Sequence, residues 1–356
     1  VEHLREDPNA MQPIGRFHCF HVAHGAVDPG WAARPFLSSQ WTCQSGLKQR
    51  EMAMIAILCS TGCTSRSWKH PKPLRAKLRS FFSEWTSWLE DSFIPKLDLV
   101  EEDLPTKFAI RTGVAPPQTA NGKSTDANNS GQATISSRVW VAKDPLGAVR
   151  RLRLVEVDAG GQLQAFNAVV YPSCRLGLQP VLGVDVLSFN SHKRLLFGVD
   201  WAPMLRDPDY LKARIARFVR KTYEEFDELR TAPSGKIYGD DPEFFSPYMF
   251  LSRPEGKEAI SADSKLWKVF NQYFNEYCTM LVQCPKDADQ HLCLQAQERQ
   301  AAYDAWHAER DPAVKVFRRM FGEEWTEEFT QAVLFPGSAA RPPKLRELGQ
   351  MESQKS

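Results

Sequence analysis

The chain has 356 residues, 42% of them apolar and 25% charged, and a formal net charge of +2. That composition is globular and excludes collagen-like, coiled-coil and wholly disordered classes. No run reaches the roughly 18 apolar residues of a membrane span, and so weak a charge argues against a chain devoted to nucleic acid.

The charge is unevenly placed. Residues 1–80 hold 11 Lys and Arg against 5 Asp and Glu, so the remainder is mildly acidic. From Met52 to Ser83 there is no acidic residue, and a short apolar run, Ala53 to Leu58, leads into Ser, Thr, Cys and basic residues. This is the composition of an organelle transit peptide rather than of a secretory signal. Residues 1–51 are read as an upstream extension without an assigned role, 52–79 as the transit segment, 80–336 as the folded domain and 337–356 as a disordered tail. Composition alone leaves a plastid or a mitochondrial address open.

Within the extension, FHCFHVAH brings together His18, Cys19, His21 and His24, ligand types that zinc accepts. No second cluster follows, so no metal site is expected. None of the eight cysteines forms a CxxC pair, and free thiols are expected.

Along the domain, apolar residues at steps of three and four predict a helix over 74–94. Residues 112–137 are rich in Gly, Pro, Asn, Ser and Thr and are expected to be a surface loop. NGKST inside it is not a phosphate-binding loop, because Pro117 stands where the leading glycine belongs. Strands are predicted over 138–143, 149–157, 163–171, 181–189 and 194–201, with connections short enough for antiparallel pairing. Helices are predicted over 207–230, 262–282, 287–309 and 312–334, the last with Asp311 as N-cap and Pro312 in its first turn. Strands in a block followed by helices indicate an α/β (α+β) sandwich with a central antiparallel sheet.

No dinucleotide, Walker, nucleophile-elbow or HExxH motif occurs. What stands out is acidic residues in apolar company. Alternation in VLGVDVLSF places Asp185 in a strand covered on both faces, where desolvation favours its protonated form. It is either a proton donor or a buried Asp satisfied by backbone N–H groups or an Arg. Asp311 reads alone as a helix cap, and Asp200 as an anchor for a turn. Asn167 is a polar strand residue among apolar neighbours, and Arg150, Arg151 and Arg153 read as solvent-face residues unless an acidic partner docks there.

Four blocks carry a resemblance: AFNAVVYPSCRLGLQPVLGVDVLSF, LLFGVDWAPM, EFFSPYMFLSRP and AERDPAVKVFRRMFGEEWTEEFTQAVLFP. In this order, between about Ala148 and Pro336, they resemble the ferredoxin-dependent bilin reductases. The resemblance implies a three-layer α/β/α sandwich with an open-chain tetrapyrrole between sheet and helices. It implies no bound metal or flavin, electrons arriving singly from an external reduced [2Fe-2S] ferredoxin, a bilin radical, and protons from side chains. The family's two acids fall on Asp185 and Asp311. Its vinyl-reducing, four-electron members carry a strand His and a Glu where this chain has Asn167 and Val155, so the likeness points to the phycoerythrobilin-forming members. Among these, the expected reaction is reduction of 15,16-dihydrobiliverdin at the A-ring diene to phycoerythrobilin. The alternatives are a 15,16-dihydrobiliverdin:ferredoxin oxidoreductase acting on biliverdin at the 15,16 bridge, and a non-catalytic bilin carrier. Arg253 and Arg310 are candidates for the bilin propionates, or ordinary surface ion-pair residues. Lys212, Arg214, Arg217, Arg220 and Lys221 are candidates for a basic rim toward acidic ferredoxin, or a solvated helix face. The expected partners are ferredoxin, the bilin and the preceding reductase in the series.

Overall fold

The computed structural model describes residues 81–115, 119–120, 123–124, 131–233, 243–285 and 288–340. The chain divides into two compact units, Val1–Pro73 and Leu74–Ser356, and every described residue belongs to the second. The transit segment, the His/Cys cluster and residues 341–356 lie outside the described residues.

An eight-stranded antiparallel sheet forms the middle layer. Its strands are β1 (Leu99–Glu102), β2 (Ile110–Val114), β3 (Gln132–Ala142), β4 (Val149–Asp158), β5 (Leu163–Pro172), β6 (Val181–Phe189), β7 (Arg194–Ala202) and β8 (Phe250–Ser252). β3 to β7 follow one another as a meander, β8 closes one edge on β7, and β1 and β2 share the other edge along β3. Short connections leave no room for crossovers, so neighbours in sequence pair in space. The segment 112–137 is thus not all loop: β2 enters it to Val114 and β3 leaves it from Gln132. Gly113 of β2 passes so close to the end of a helix that a Cβ there would lie 2.0 Å from the Met320 carbonyl oxygen.

The middle strands β4, β5 and β7 bury residues on both faces, as a sheet covered by two layers requires, whereas the edge strands β1 and β2 are largely exposed. On one face lie α1 (Ser83–Trp88), α2 (Pro208–Leu211, a π turn Lys212–Ala216, then Arg217–Glu225) and α3 (Lys265–Gln283). Of the helix predicted over 74–94, residues 74–80 lie outside the described residues. From Ser83 the helical turns run on through a π turn, Leu89–Phe93, into a 3-10 turn, Ile94–Leu97, that contains Pro95. This layer meets the sheet through aromatic rings: Trp85 lies 6.0 Å from Phe166 of β5, and Tyr277 5.1 Å from Trp201 of β7. Fully burying a large apolar side chain of this kind stabilises the fold by about 1.5–3 kcal/mol.

On the other face lie α4 (Gln290–Arg310), α5 (Pro312–Phe321) and α6 (Glu323–Phe329). The single helix predicted over 312–334 is interrupted at Gly322, which adopts φ +93°, a conformation that favours glycine. Phe317, Phe321, Trp325 and Phe329 pack with Ile135, Val155 and Val157 into a second core at one end of this face. Ordered structure reaches Ala340 in a 3-10 turn, where Gly337 N–H donates to Asp304 at 2.7 Å. The tail predicted from 337 therefore begins with residues fixed to α4. Among the described residues no helix is long and apolar enough to cross a membrane.

Candidate active site

Antiparallel partners directly opposite one another project to the same face. The register places Val155, Asn167, Asp185 and Gly198 in one row across β4 to β7, and Arg153, Val169, Gly183 and Asp200 in the next. These rows face α4 and α5 and form the floor of a cleft with about 820 Å³ of empty space, part of it open to solvent.

The floor carries a hydrogen-bonded chain. The Asn167 Nδ2 donates to Asp185 Oδ1 at 2.5 Å. The Arg153 guanidinium donates through Nη1 to Asn167 Oδ1 and through Nε to the Leu334 carbonyl at 2.8 Å. Arginine can only donate, so it holds the amide with its oxygen toward Arg153 and its NH2 toward the carboxyl. Burial pushes the Asp185 pKa up, while the Asn167 hydrogen bond and the Arg153 charge oppose that rise. Asp185 is a carboxyl biased toward its protonated form at a cleft floor.

The roof comes from the α4–α5 junction. Asp311 ends α4 and caps α5, its Oδ1 accepting the Ala313 N–H at 2.8 Å. Burial first, and then the charge of Asp185, raise its pKa to about 6, against the Ala313 N–H and Arg153. Asp311 thus senses the charge of Asp185 across the cleft, which disfavours its ionisation while Asp185 is charged. Tyr303, Trp306 and His307 from the last turns of α4 line the same space, with Phe335 beyond. A loop bearing Phe244, Phe245 and Met249 closes one side. Asp200 fastens it, accepting from Ser246 N–H at 2.9 Å and from Ser246 Oγ at 2.5 Å. Burial raises the Asp200 pKa to about 7.

Asp185, Asp311, Asn167 and Arg310 therefore meet at one cleft. Arg310 also lies 5.1 Å over the Trp306 ring and 3.2 Å from Glu309. Arg253 is not brought there: it is exposed just past β8 and is not among the residues lining the cleft. The reading of Arg150, Arg151 and Arg153 as a solvent face holds for Arg150, which is exposed while bonding Gln300 and lying 4.7 Å over Tyr171. It is corrected for Arg153, which is 2% exposed, and for Arg151, which is half-buried and bonds the Ala332 and Val333 carbonyls. A register shift between Val149 and Arg151 starts the strand, and the regular alternation beyond it carries Arg153 onto the Asn167 face. The basic helix α2 packs through Phe218 against Trp201, on the face opposite Asp200. His307 was also missed, since a lone His on a helix carries no motif.

Among the described residues no group of three or more His, Cys, Asp and Glu is placed to hold a metal ion. The four described cysteines, Cys174, Cys278, Cys284 and Cys293, are free thiols. The arrangement offers two carboxyls on opposite walls, both biased by burial toward their protonated forms as a general acid requires, against a wall of aromatic rings suited to a flat conjugated ligand.

The chain is 31% identical over 241 residues to a 15,16-dihydrobiliverdin:ferredoxin oxidoreductase of Nostoc punctiforme, covering 68% of this chain and 93% of that protein. It is 30% identical over 237 residues to the protein of the same name from Parasynechococcus marenigrum, covering 67% and 96%. The fold is similar to that of tomato phytochromobilin synthase in complex with biliverdin, with a TM-score of 0.59 and 17% identity over 72% of this chain and 84% of that one. Residues 101–336 match the model of the family described as ferredoxin-dependent bilin reductase. A match across about two thirds of the chain settles the family: this chain is a ferredoxin-dependent bilin reductase, an oxidoreductase acting on an open-chain tetrapyrrole.

Proposed function

We propose that the chain reduces 15,16-dihydrobiliverdin at its A-ring diene, with two electrons from ferredoxin and two protons delivered through Asp185 and Asp311. The observation that carries the chemistry is the pair of carboxyls on opposite walls of one cleft, both with raised pKa values. Each electron arriving on the conjugated bilin raises its basicity, and a protonated carboxyl within reach supplies the matching proton. The bilin is itself the redox centre in this reading, with no resident cofactor. Ferredoxin approaches the cleft mouth, and the bilin arrives from the preceding reductase in the series. The acid-free stretch 52–83 supports a plastid stromal location.

The relatives' name favours a second reading of the same site. They are named for 15,16-dihydrobiliverdin, which is the substrate of the A-ring reaction and the product when biliverdin is reduced at the 15,16 bridge. Supplying each bilin separately, anaerobically with reduced ferredoxin, separates the two. The first reading expects 15,16-dihydrobiliverdin to be consumed and phycoerythrobilin to form. Accumulation of 15,16-dihydrobiliverdin from biliverdin, with no further reduction, replaces it by the second. Turnover of neither overturns both.

A further inference from the structure

The polar groups on the cleft walls are almost all engaged by the protein. Asp185 accepts from Asn167, Asn167 from Arg153, Asp200 from Ser246 and Asp311 from Ala313. His307 differs. It lines the cleft, and its Nε2 is buried without a hydrogen-bond partner. A buried polar atom left unpaired in a native fold calls for a reason, and in a ligand cleft an incoming ligand supplies one.

The position of this ring is defined. The His307 carbonyl accepts the Asp311 N–H at 2.8 Å, so the ring stands one helical turn before the roof carboxyl. It stacks on Phe335 at 5.8 Å and 17°, and lies 4.3 Å from the Tyr303 ring and 4.8 Å from that of Trp306. These rings restrict its rotation without satisfying the nitrogen. Burial, with the nearby charges of Arg153 and Arg310, lowers the His307 pKa to about 3. The imidazole is therefore neutral at working pH and offers one donor and one acceptor. A neutral ring beside Asp311 is a hydrogen-bonding group rather than a proton source.

We propose that His307 is a substrate-binding residue whose Nε2 hydrogen-bonds a polar atom of the tetrapyrrole, a lactam oxygen or a pyrrole nitrogen, beside Asp311. The inference rests on the cleft being the bilin site. It adds a contact that fixes which part of the bilin lies under the roof carboxyl.

The test compares His307→Phe, which keeps the ring packing and loses the nitrogen, with His307→Gln, whose amide nitrogen reaches the Nε2 position. The full chain is titrated with biliverdin and with 15,16-dihydrobiliverdin without ferredoxin, following bilin absorbance, and melting temperature monitors the fold. H307F should bind about tenfold more weakly, with a shifted bound-bilin spectrum, and H307Q should stay within about threefold of wild type. Wild-type affinity and spectrum in H307F would overturn the proposal, as would equal losses in both variants. If the wild-type chain binds neither bilin, the reading of the cleft fails first and this proposal with it.

Discussion

Asp311 is the residue where replacing one side chain most cleanly separates chemistry from structure. Asparagine is as good an N-cap as aspartate, so Asp311→Asn should keep α5 in place and remove only the proton. With a pKa of about 6, the protonated fraction falls as pH rises through that value. The wild-type kcat/KM should therefore decline above pH about 6, a limb that Asp311→Asn should lack. Below that pH the variant should be about 100-fold slower or worse. A pH profile of both proteins decides it. Arg153→Lys keeps the charge and loses the planar fork that reaches Asn167 and Leu334 together. Its melting temperature should fall and turnover should drop about tenfold with bilin affinity little changed, because Asn167 no longer presents its NH2 to Asp185.

At the scale of elements, the site is where two regular structures meet: the adjoining middle strands of the sheet, and the break between α4 and α5. Pro312 and the Asp311 cap make that break, and Asp311 thereby serves both the helix start and the cleft. The bland reading of Asp311 as a cap and the functional one are the same residue in one geometry. The loop held by Asp200 is a separate device. Its carboxyl pKa rises from 3.8 to about 7 on folding, so the folded state binds more protons than the unfolded one between about pH 4 and 7. Its contribution is fully present below pH 4 and is lost as pH rises through 7. Asp200→Asn removes that dependence, so the variant's melting temperature should improve relative to wild type as pH is raised from 5 to 8. A thermal melt series at fixed ionic strength checks the slope.

For the whole molecule, the net charge of +2 conceals a basic N-terminal stretch attached to a mildly acidic remainder. Attraction of an acidic ferredoxin therefore depends on local charge near the cleft, which salt screens. The KM for ferredoxin should rise with ionic strength while the bilin Kd stays nearly constant, as steady-state assays from low to 0.3 M salt would show. The meander β4 to β7 was legible from period-two alternation almost to the residue, and Asp185 with it. β2 and the start of β3 were not, because Gly, Thr, Ser and Gln there mimic loop composition while packing against α5 supplies the burial. Arg153 is illegible in the sequence because a charged strand residue ordinarily faces solvent. Only the register, which puts it in the row beside Asn167, shows that it has buried partners. Arg253 was a candidate by its charge alone, and β8 ends with it outside the cleft lining.

The central claim is that the sheet carboxyl passes a proton to a bilin that has already received an electron. The most direct measurement is electron paramagnetic resonance on Asp185→Asn, loaded with bilin and given reduced ferredoxin anaerobically, beside wild type. The account predicts wild-type bilin affinity in the variant, a persistent bilin radical and little product. Product formation at the wild-type rate, with no radical accumulating, would contradict it.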